Sequence, residues 1–348
     1  MTPTDAVPEK DIAILARGLT KTYRGGVRAL DGIDIEVREG TCFGLLGPNG
    51  AGKSTTVKIM TTLTLPDDGI AKVVGIDVRQ NPDKVRRSIG CVAQKTAVDL
   101  TATGRENLTL QGRVYGMRGQ ELKRRVSDLL EQFGLASDGD RVVRGYSGGM
   151  QRRLDVALGI IHRPRVLFMD EPTVGLDPEM RVSLWEEIRQ LVRAEGLTLL
   201  FTTHYLEEAD LHAELLAIID EGKVVARGTP ESLKSEMQGD GLLLELADPG
   251  IEAQVCDALR ALPGISEVVV QDHELRARAE KGSVAVPIVL SALEAAGITV
   301  ASVTVSRPSL DDVYLRYAGR EFTKADIAGA APQEPPKRKK PRKEGEEA

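Results

Sequence analysis

An apolar strand that runs into a glycine-rich loop and then into a helix is the feature that most constrains this chain. The loop follows Cys42–Leu46, precedes a helical stretch over residues 55–60, and fits the pattern G-x-x-x-x-G-K-[ST]. It reads Gly47-Pro48-Asn49-Gly50-Ala51-Gly52-Lys53-Ser54. Glycines let a backbone wrap around an anion without Cβ clashes, and the amides of the new helix point at that anion. The pattern predicts a phosphate-binding loop, with Lys53 on the β- and γ-phosphates and Ser54 on Mg²⁺. A glycine turn that only connects strand and helix is the alternative.

Two acidic residues end a second apolar run. Val166–Met169 is predicted to be a buried strand whose carboxyl end carries Asp170 and Glu171 to the edge where α/β folds bind ligands. We expect Asp170 to hold Mg²⁺, directly or through water, and Glu171 to act as the general base on the attacking water. The alternative is a pair of acids that begin a solvated turn.

A second anion trap is predicted further along the chain. Ser147 is expected to be the N-cap of a helix, and Gly148 and Gly149 would expose backbone amides at its start. One nucleotide rarely needs two separate traps. We therefore expect this trap to serve an ATP that is held by a partner subunit.

Apolar runs alternate with helical patterns from Ile12 to about Ser235, which is typical of an α/β unit around a largely parallel sheet. A helical insert is predicted between residues 103 and 163, with an amphipathic helix over residues 120–133. The predicted strands are Ile33–Val37, Cys42–Leu46, Ile89–Ala93, Val166–Met169, Leu197–Thr202 and Leu215–Ile219.

After Gly239 the predicted order of elements is β-α-β-β-α-β, the ferredoxin-like order. A last helix is predicted to begin at Ser309, because Ser309-Leu310-Asp311-Asp312 matches a capping box with Asp in its fourth place. From about Thr323 onward, alanine, proline, glycine and charge dominate, which predicts a disordered tail.

Composition excludes several classes of function. The formal net charge is −6, and the chain contains six tyrosines, five phenylalanines and one tryptophan, so neither charge nor stacking aromatics favours a nucleic-acid partner. We find no apolar stretch long enough to cross a bilayer and no signal-peptide pattern at the start, so we expect any membrane role to be peripheral. Three cysteines without metal-ligand spacing favour a cytoplasmic location.

The combination of motifs resembles that of ATP-binding-cassette (ABC) ATPases over roughly residues 11–235. The motifs are the phosphate loop Gly47–Thr55, the signature Ser147-Gly148-Gly149, the acids Asp170 and Glu171, and His204 after a strand. The resemblance implies an α/β fold with a RecA-like core and a helical subdomain. It also implies a dimer with a second copy, in which each ATP lies between the loop of one copy and the signature of the other.

The same resemblance implies roles for four further residues. Tyr23 is similar to the aromatic residue that stacks on adenine, and Gln94 to the glutamine that senses Mg²⁺ and the γ-phosphate. Asp177 is similar to the acid that couples the two sites, and His204 to the γ-phosphate switch. Plainer alternatives are a partly buried aromatic, a surface amide, a cap for the helix Pro178–Glu195, and a strand-end histidine.

Two stretches are similar to the ATPase subunits of the daunorubicin-resistance type. They are Tyr146-Ser147-Gly148-Gly149-Met150, which departs from the common Leu-Ser-Gly-Gly-Gln at its first and last residues, and Pro308–Tyr314. The resemblance implies an ATPase subunit that uses ATP and Mg²⁺ and powers export of a drug-like or lipid-like substrate through a separate ABC-2 type membrane permease. It would sit on the cytoplasmic face of the membrane.

The domain organisation that follows has four parts. We expect an extension at residues 1–10, a nucleotide-binding domain at 11–235 with its helical subdomain at about 95–164, a C-terminal ferredoxin-like domain at 240–320, and a charged tail at 321–348. The C-terminal domain would either dock the dimer or sense a ligand. The cations of residues 337–343 would be solvated or would attract anionic lipid.

Other functions remain open at this point. A soluble ABC ATPase that acts on ribosomes or DNA is one, although the chain carries a single cassette and no heptad arrays. A motor for an ion or polysaccharide exporter is another.

Overall fold

The computed structural model describes residues 11–237, 239–247, 252–260, 262–271 and 274–320. The predicted N-terminal extension, residues 1–10, and the predicted tail, residues 321–348, lie outside them. The strands are β1 (Ile12–Thr22), β2 (Arg28–Arg38), β3 (Cys42–Leu46), β4 (Asp68–Val73), β5 (Ile76–Asp77), β6 (Ile89–Val92), β7 (Val166–Asp170), β8 (Thr198–Thr203), β9 (Leu215–Asp220), β10 (Lys223–Gly228), β11 (Asp240–Leu246), β12 (Ile265–Gln271), β13 (Glu274–Ala279) and β14 (Val300–Ser306).

Helices connect most of these strands. They are α1 (Lys53–Met60), α2 (Pro82–Ser88), α3 (Gly104–Val114), α4 (Gly119–Gln132), α5 (Gly148–Ile160), α6 (Pro178–Glu195), α7 (Leu206–His212), α8 (Pro230–Ser235), α9 (Glu252–Arg260), α10 (Gly282–Ala295) and α11 (Leu310–Ala318). Among the residues that the structure describes, no helix is both long enough and apolar enough to span a membrane.

The central sheet has the strand order β10-β9-β3-β8-β7-β6. Strands β9, β3, β8, β7 and β6 are parallel, and β10 pairs antiparallel with β9. Every residue of β3 and β8 is buried, as expected where helices cover both faces of a parallel sheet. The prediction of a largely parallel sheet is confirmed, and the carboxyl ends of β3, β7 and β8 lie at one edge.

A second, antiparallel sheet has the order β2-β1-β4-β5. The predicted strand Ile33–Val37 lies here, inside β2, and not in the parallel sheet. Its buried residues Ile33, Ile35 and Val37 alternate with more exposed ones, because an antiparallel sheet can cover one face and leave the other in contact with water.

The predicted helical insert is formed by α3, α4 and the start of α5, which pack against one another. Helix α4 matches the helix predicted over residues 120–133 within one residue at each end. Its apolar stripe is buried together with the residue that follows it, Phe133. The residues of the stripe are Leu122, Val126, Leu129 and Leu130.

The third sheet has the order β12-β13-β11-β14 and all its pairs are antiparallel. This is the arrangement of a ferredoxin-like unit, so the predicted fold is confirmed. Leu244, Leu275 and Val289 belong to a separate apolar core between this sheet and α9 and α10.

The last helix, α11, packs against a different apolar core, which contains residues of the central sheet and of the helical insert and is called the first core below. Its predicted capping box is present, since the Ser309 hydroxyl accepts the Asp312 amide at 3.3 Å and the Asp312 carboxylate accepts the Ser309 amide at 2.8 Å. Leu310, Val313 and Tyr314 are buried in this first core. The final helix therefore stabilises the part of the chain that carries the phosphate loop.

Candidate nucleotide-binding site

The phosphate loop connects β3 to α1, as the sequence predicted. Gly52 is the N-cap of α1 with a φ of 110°, and Gly50 has a φ of 87°, a backbone conformation that favours glycine. A Cβ atom on Gly47 would lie 2.1 Å from the carbonyl oxygen of Ile219, and one on Gly52 would lie 2.5 Å from that of Ala29. Larger residues at these positions would displace the loop from the sheet.

Lys53 points its ammonium into this loop. The Nζ atom donates to the carbonyl oxygens of Gly47, at 2.7 Å, and Pro48, at 3.0 Å, and the side chain is 3% exposed. Burial lowers the pKa of Lys53, and the carboxylates of Glu171 and Asp170 offset only part of that effect. A buried cation inside a glycine-rich loop at a helix N-terminus is suited to an anion such as phosphate.

Asp170, at the end of β7, is held between two hydroxyl groups. Its Oδ1 atom accepts from Ser54 Oγ at 3.1 Å and from Thr202 Oγ1 at 2.6 Å. The structure thus brings together Ser54 and Asp170, two of the three residues predicted to hold Mg²⁺, the third being Gln94. Thr202 was not predicted as a site residue, and its signal is its place at the end of a strand that runs parallel to β7, opposite Asp170.

Glu171 is buried and has an unusual backbone. Its φ is 48°, in the left-handed region that residues other than glycine seldom adopt and that is often found at functional sites. Its Oε2 atom accepts from the Gln94 amide at 3.0 Å. Its Oε1 atom lies 3.5 Å from Lys53 Nζ and 3.2 Å from His204 Nδ1, although the histidine contact lacks hydrogen-bond alignment.

The charge of Glu171 is set by these neighbours. Burial alone would raise the pKa of the carboxyl, but His204 and Lys53 together outweigh burial and lower the pKa below its ordinary value. The carboxylate is therefore ionised at neutral pH and can accept a proton.

Consecutive strand ends supply the cluster. Gln94 follows β6, Glu171 follows β7 and His204 follows β8, while Lys53 begins the helix after β3. Because these parallel strands are neighbours in the sheet, their carboxyl ends place all four side chains at one edge.

Tyr23 lies beside the same loop. Its hydroxyl is 3.5 Å from Thr55 Oγ1, and the residue is 38% exposed. A half-exposed aromatic ring next to the helix that follows the loop can stack on a planar ligand.

The signature residues are placed elsewhere, at the start of α5. Ser147 is the N-cap and accepts the Met150 amide at 3.2 Å, so the predicted cap is present. Ser147 and Gly149 line a small cleft with Leu176 and Met180, next to the start of α6. Asp177 caps α6 by accepting the Met180 amide at 2.9 Å, which is the plainer alternative named for this residue; its coupling role across a dimer stays a prediction.

Tyr146, which departs from the common signature, has a structural partner within the helical insert. The ring is buried and its hydroxyl donates to the Asp138 carbonyl oxygen at 2.6 Å. The amide of Gln151 is turned back toward the Tyr146 carbonyl oxygen at 3.3 Å. The side chain of Gln151 is therefore bonded within its own chain.

Comparisons with known proteins agree with this geometry. The model of the family described as ABC transporter matches residues 30–174, and that of the ATP-binding protein DrrA1-3-like C-terminal domain matches residues 228–318. The chain is 44% identical over 320 residues to the daunorubicin resistance ATP-binding protein DrrA2 of Streptomyces coeruleorubidus, covering 92% of this chain and 99% of that protein. It is 36% identical over 310 residues to the linearmycin resistance ATP-binding protein LnrL of Bacillus subtilis (strain 168), covering 88% and 98%.

Solved structures give the same result. CbiO1 of Clostridium perfringens, part of the ABC transporter complex cbiONQ, matches with a TM-score of 0.60 and 27% identity over 65% of this chain and 92% of that one. A dimeric structure of the ATP-binding cassette MJ0796, bound to ADP and Pi, matches with a TM-score of 0.57 and 26% identity over 62% and 98%. The chain therefore belongs to the ABC transporter ATP-binding proteins of the daunorubicin-resistance type, nucleotide-binding ATPases that couple ATP hydrolysis to transport.

Proposed function

We propose that this chain is the motor subunit of an ABC-2 type exporter and drives a drug-like or lipid-like substrate through a separate membrane permease. The observation that carries the proposal is the ionised, buried carboxylate of Glu171, held among Lys53, Gln94 and His204. The resistance functions in the names of the relatives support the class of substrate.

The loop would hold the phosphates of ATP. Its backbone amides and the ammonium of Lys53 would take the β- and γ-phosphates, and Tyr23 would stack on the adenine. The residues assigned to nucleotide binding in one chain are Tyr23, Gly47, Pro48, Asn49, Gly50, Ala51, Gly52, Lys53, Ser54 and Thr55.

A hydroxyl, an amide and a carboxylate fit the needs of Mg²⁺. Ser54 and Asp170 are already 3.1 Å apart, and Gln94 reaches the same area through Glu171. Mg²⁺ prefers oxygen ligands and usually takes few of them from protein alongside phosphate oxygens. Bound there, it would neutralise charge on the transferred phosphoryl group.

Glu171 would act as the general base. It would take a proton from water as the water oxygen bonds to the γ-phosphorus and the bond to the β-phosphate oxygen breaks, leaving ADP and phosphate. His204, beside Glu171, would contact the γ-phosphate and report its loss.

A second copy of the chain would complete each site. Ser147 and Gly148 are exposed at the start of α5 and Gly149 beside them is buried, and the backbone amides of this first turn would suit a phosphate held by the other copy. Asp177 begins α6 beside this cleft, where it could pair with its counterpart in a dimer. ATP would close the two copies together and hydrolysis would release them, moving the permease between two states.

The domain assignment follows. Residues 11–235 would form the motor, with the helical subdomain at about 95–164. Residues 240–320 would dock the complex, since α11 binds back to the motor core. The chain would be peripheral to the membrane and would have no nucleic-acid partner.

The test is co-expression of the full chain with a candidate ABC-2 type permease. We expect the two to co-purify from membranes, and inverted vesicles to accumulate an anthracycline only with ATP. The matched control is the Glu171→Gln chain, which should co-purify but not transport. Intact ATPase activity with no stable permease partner in membranes would contradict the proposal.

A further inference from the structure

A buried guanidinium lies behind the catalytic cluster. Arg152, in α5, is 7% exposed and donates to the carbonyl oxygens of Pro172, at 2.6 Å, and Ala93, at 2.7 Å. It also donates to Asp155 Oδ2 at 3.0 Å and lies 3.5 Å from the carbonyl oxygen of Glu171. A single side chain therefore joins three segments of the protein.

Two of these segments carry the groups assigned to the γ-phosphate. Ala93 directly precedes Gln94, and Pro172 directly follows Glu171, and the side chains of Gln94 and Glu171 are hydrogen-bonded to each other. Arg152 thus bonds the backbone of the residue next to each member of this hydrogen-bonded pair.

Asp155 adds a second hydrogen bond to the loop that carries Gln94. While pairing with Arg152, it accepts the backbone amide of Ala97 at 3.1 Å through Oδ1. The ion pair consequently contacts the chain both before and after Gln94, at Ala93 and at Ala97. Both members of the pair are buried, so removing either side chain would leave the charge of the other buried without compensation.

The third segment is α5, which begins at Ser147. Arg152 and Asp155 both belong to this helix, whose first residues would bind the nucleotide of the other copy in the proposed dimer. A guanidinium is planar with its donors in fixed directions, so its acceptors cannot shift independently without losing a hydrogen bond.

We infer that Arg152, with Asp155, is a positioning residue that couples the ATP site of its own chain to the signature trap that the chain offers to a second copy. The inference rests on the proposed dimer, the nucleotide sandwich, in which each ATP lies between the phosphate loop of one copy and the signature residues of the other. When Gln94 and Glu171 move around a γ-phosphate, the carbonyl groups of Ala93 and Pro172 would shift α5 through Arg152. In the reverse direction, binding of α5 to the ATP of the other copy would shift Gln94 and Glu171.

The chain offers a matched control at the opposite end of α5. Arg125 is also buried, donates to the carbonyl oxygens of Ile160, at 2.8 Å, and Ile161, at 3.2 Å, and pairs with Glu195 at 2.8 Å. It has the same chemistry and holds the same helix, but it bonds neither of the loops that carry Gln94 and Glu171.

The experiment compares Arg152→Lys and Arg125→Lys in the full chain, because lysine keeps the buried charge but not the guanidinium fork. ADP affinity, ATP-driven dimerisation and the Hill coefficient for ATP hydrolysis are measured below both melting temperatures. For Arg152→Lys we expect ADP affinity within about two-fold of wild type, dimerisation weakened by about ten-fold and a Hill coefficient near 1. Arg125→Lys should keep dimerisation and the Hill coefficient within about two-fold.

Two results would overturn the coupling. One is wild-type dimerisation and cooperativity in Arg152→Lys and also in the more severe Arg152→Met. The other is equal loss in the Arg125 variant, which would mean that packing of α5 is the whole effect. Failure of the wild-type chain to dimerise with ATP would instead remove the nucleotide sandwich itself, and the coupling with it.

Discussion

The ammonium of Lys53 lies 3.5 Å from the carboxylate of Glu171, and both side chains are almost wholly buried. Each charge offsets part of the cost of burying the other, and removing one would leave the other uncompensated. The residue assigned to phosphate binding and the residue assigned to proton transfer are therefore one electrostatic unit, and substitutions at either should be designed with that in mind.

Replacing Glu171 with glutamine should separate binding from hydrolysis. The amide has nearly the same shape but cannot accept the proton of water, so we expect the hydrolysis rate to fall by about 10²- to 10⁴-fold. ATP affinity should change little, and closed dimers should accumulate. Phosphate release and a nucleotide titration would check both, and a variant that hydrolyses ATP at the normal rate would remove Glu171 from the assigned role.

Replacing Lys53 with alanine should weaken nucleotide binding itself. Loss of charge-assisted hydrogen bonds costs about 1.5–3 kcal/mol, which corresponds to about 10- to 100-fold in affinity. Calorimetric titration with ATP and Mg²⁺ would measure it. Lys58→Ala is the matched control, because Lys58 lies in the same helix but is exposed. Equal affinities for the two variants would argue against the phosphate loop.

Tyr314 tests whether α11 belongs to the first core. Its ring is fully buried, and its hydroxyl donates to Asp220 Oδ1 at 3.1 Å. Tyr314→Phe should lower the free energy of unfolding by about 1 kcal/mol, because Arg320 still bonds the same oxygen at 2.9 Å. Tyr314→Ala should cost about 3–5 kcal/mol.

The control for Tyr314 is Tyr317→Phe, in the same helix. Tyr317 is half-exposed and its hydroxyl bonds Glu236, so we expect a change within about 0.5 kcal/mol. Thermal unfolding would rank the three variants. A cost for Tyr314→Ala as small as that for Tyr317→Phe would show that α11 only rests on the surface.

His212 should make folding sensitive to mild acid. Its ring stacks on Trp185 with centroids 4.2 Å apart, and burial, with a smaller effect from Arg189, lowers its pKa from 6.5 to about 4. As the pH falls, His212 therefore binds its proton in the unfolded chain before it does so in the folded chain. The contribution of His212 to the free energy of unfolding is full above pH 6.5 and is lost as the pH drops toward 4.

The measurement is unfolding at pH 7 and pH 5 for wild type and His212→Phe. We expect this histidine to cost wild type about 1 kcal/mol between these pH values, because partial exposure of the ring reduces the full linkage value. The phenylalanine variant keeps an aromatic ring against Trp185 and should lack this part of the loss. Parallel pH dependence of the two proteins would exclude His212 as its source.

Local patterns predicted the parts of the site that lie on single elements. The loop at Gly47–Ser54 and the acids Asp170 and Glu171 were predictable because each follows a short apolar run that is typical of a buried strand. Thr202 was not, since its contact with Asp170 depends on the register between two strands that are distant in sequence.

The same distinction holds for the fold. The ferredoxin-like order and the capping box at Ser309 were predictable from local periodicity and residue spacing. The apolar face of Leu310, Val313 and Tyr314 shows that the last helix is buried, but only the packing shows which core buries it. Likewise, the alternation of apolar and polar residues over Ile33–Val37 indicates a strand with one solvent-exposed face, but it does not show which sheet the strand joins.

The return of α11 makes the ferredoxin-like unit an insertion whose two ends meet. Arg316 in α11 donates to the carbonyl oxygen of Glu236, which directly follows α8, at 2.9 Å. Cutting the chain after Gly239 would also strip the motor of α11. Exchanging residues 240–306 for a short linker, or for the equivalent segment of a relative, would keep the contacts of α11 with the first core, but it would also replace Arg278, which pairs with Asp312 of α11 at 3.0 Å. The unit is thus positioned to be swapped between exporters as an interchangeable module.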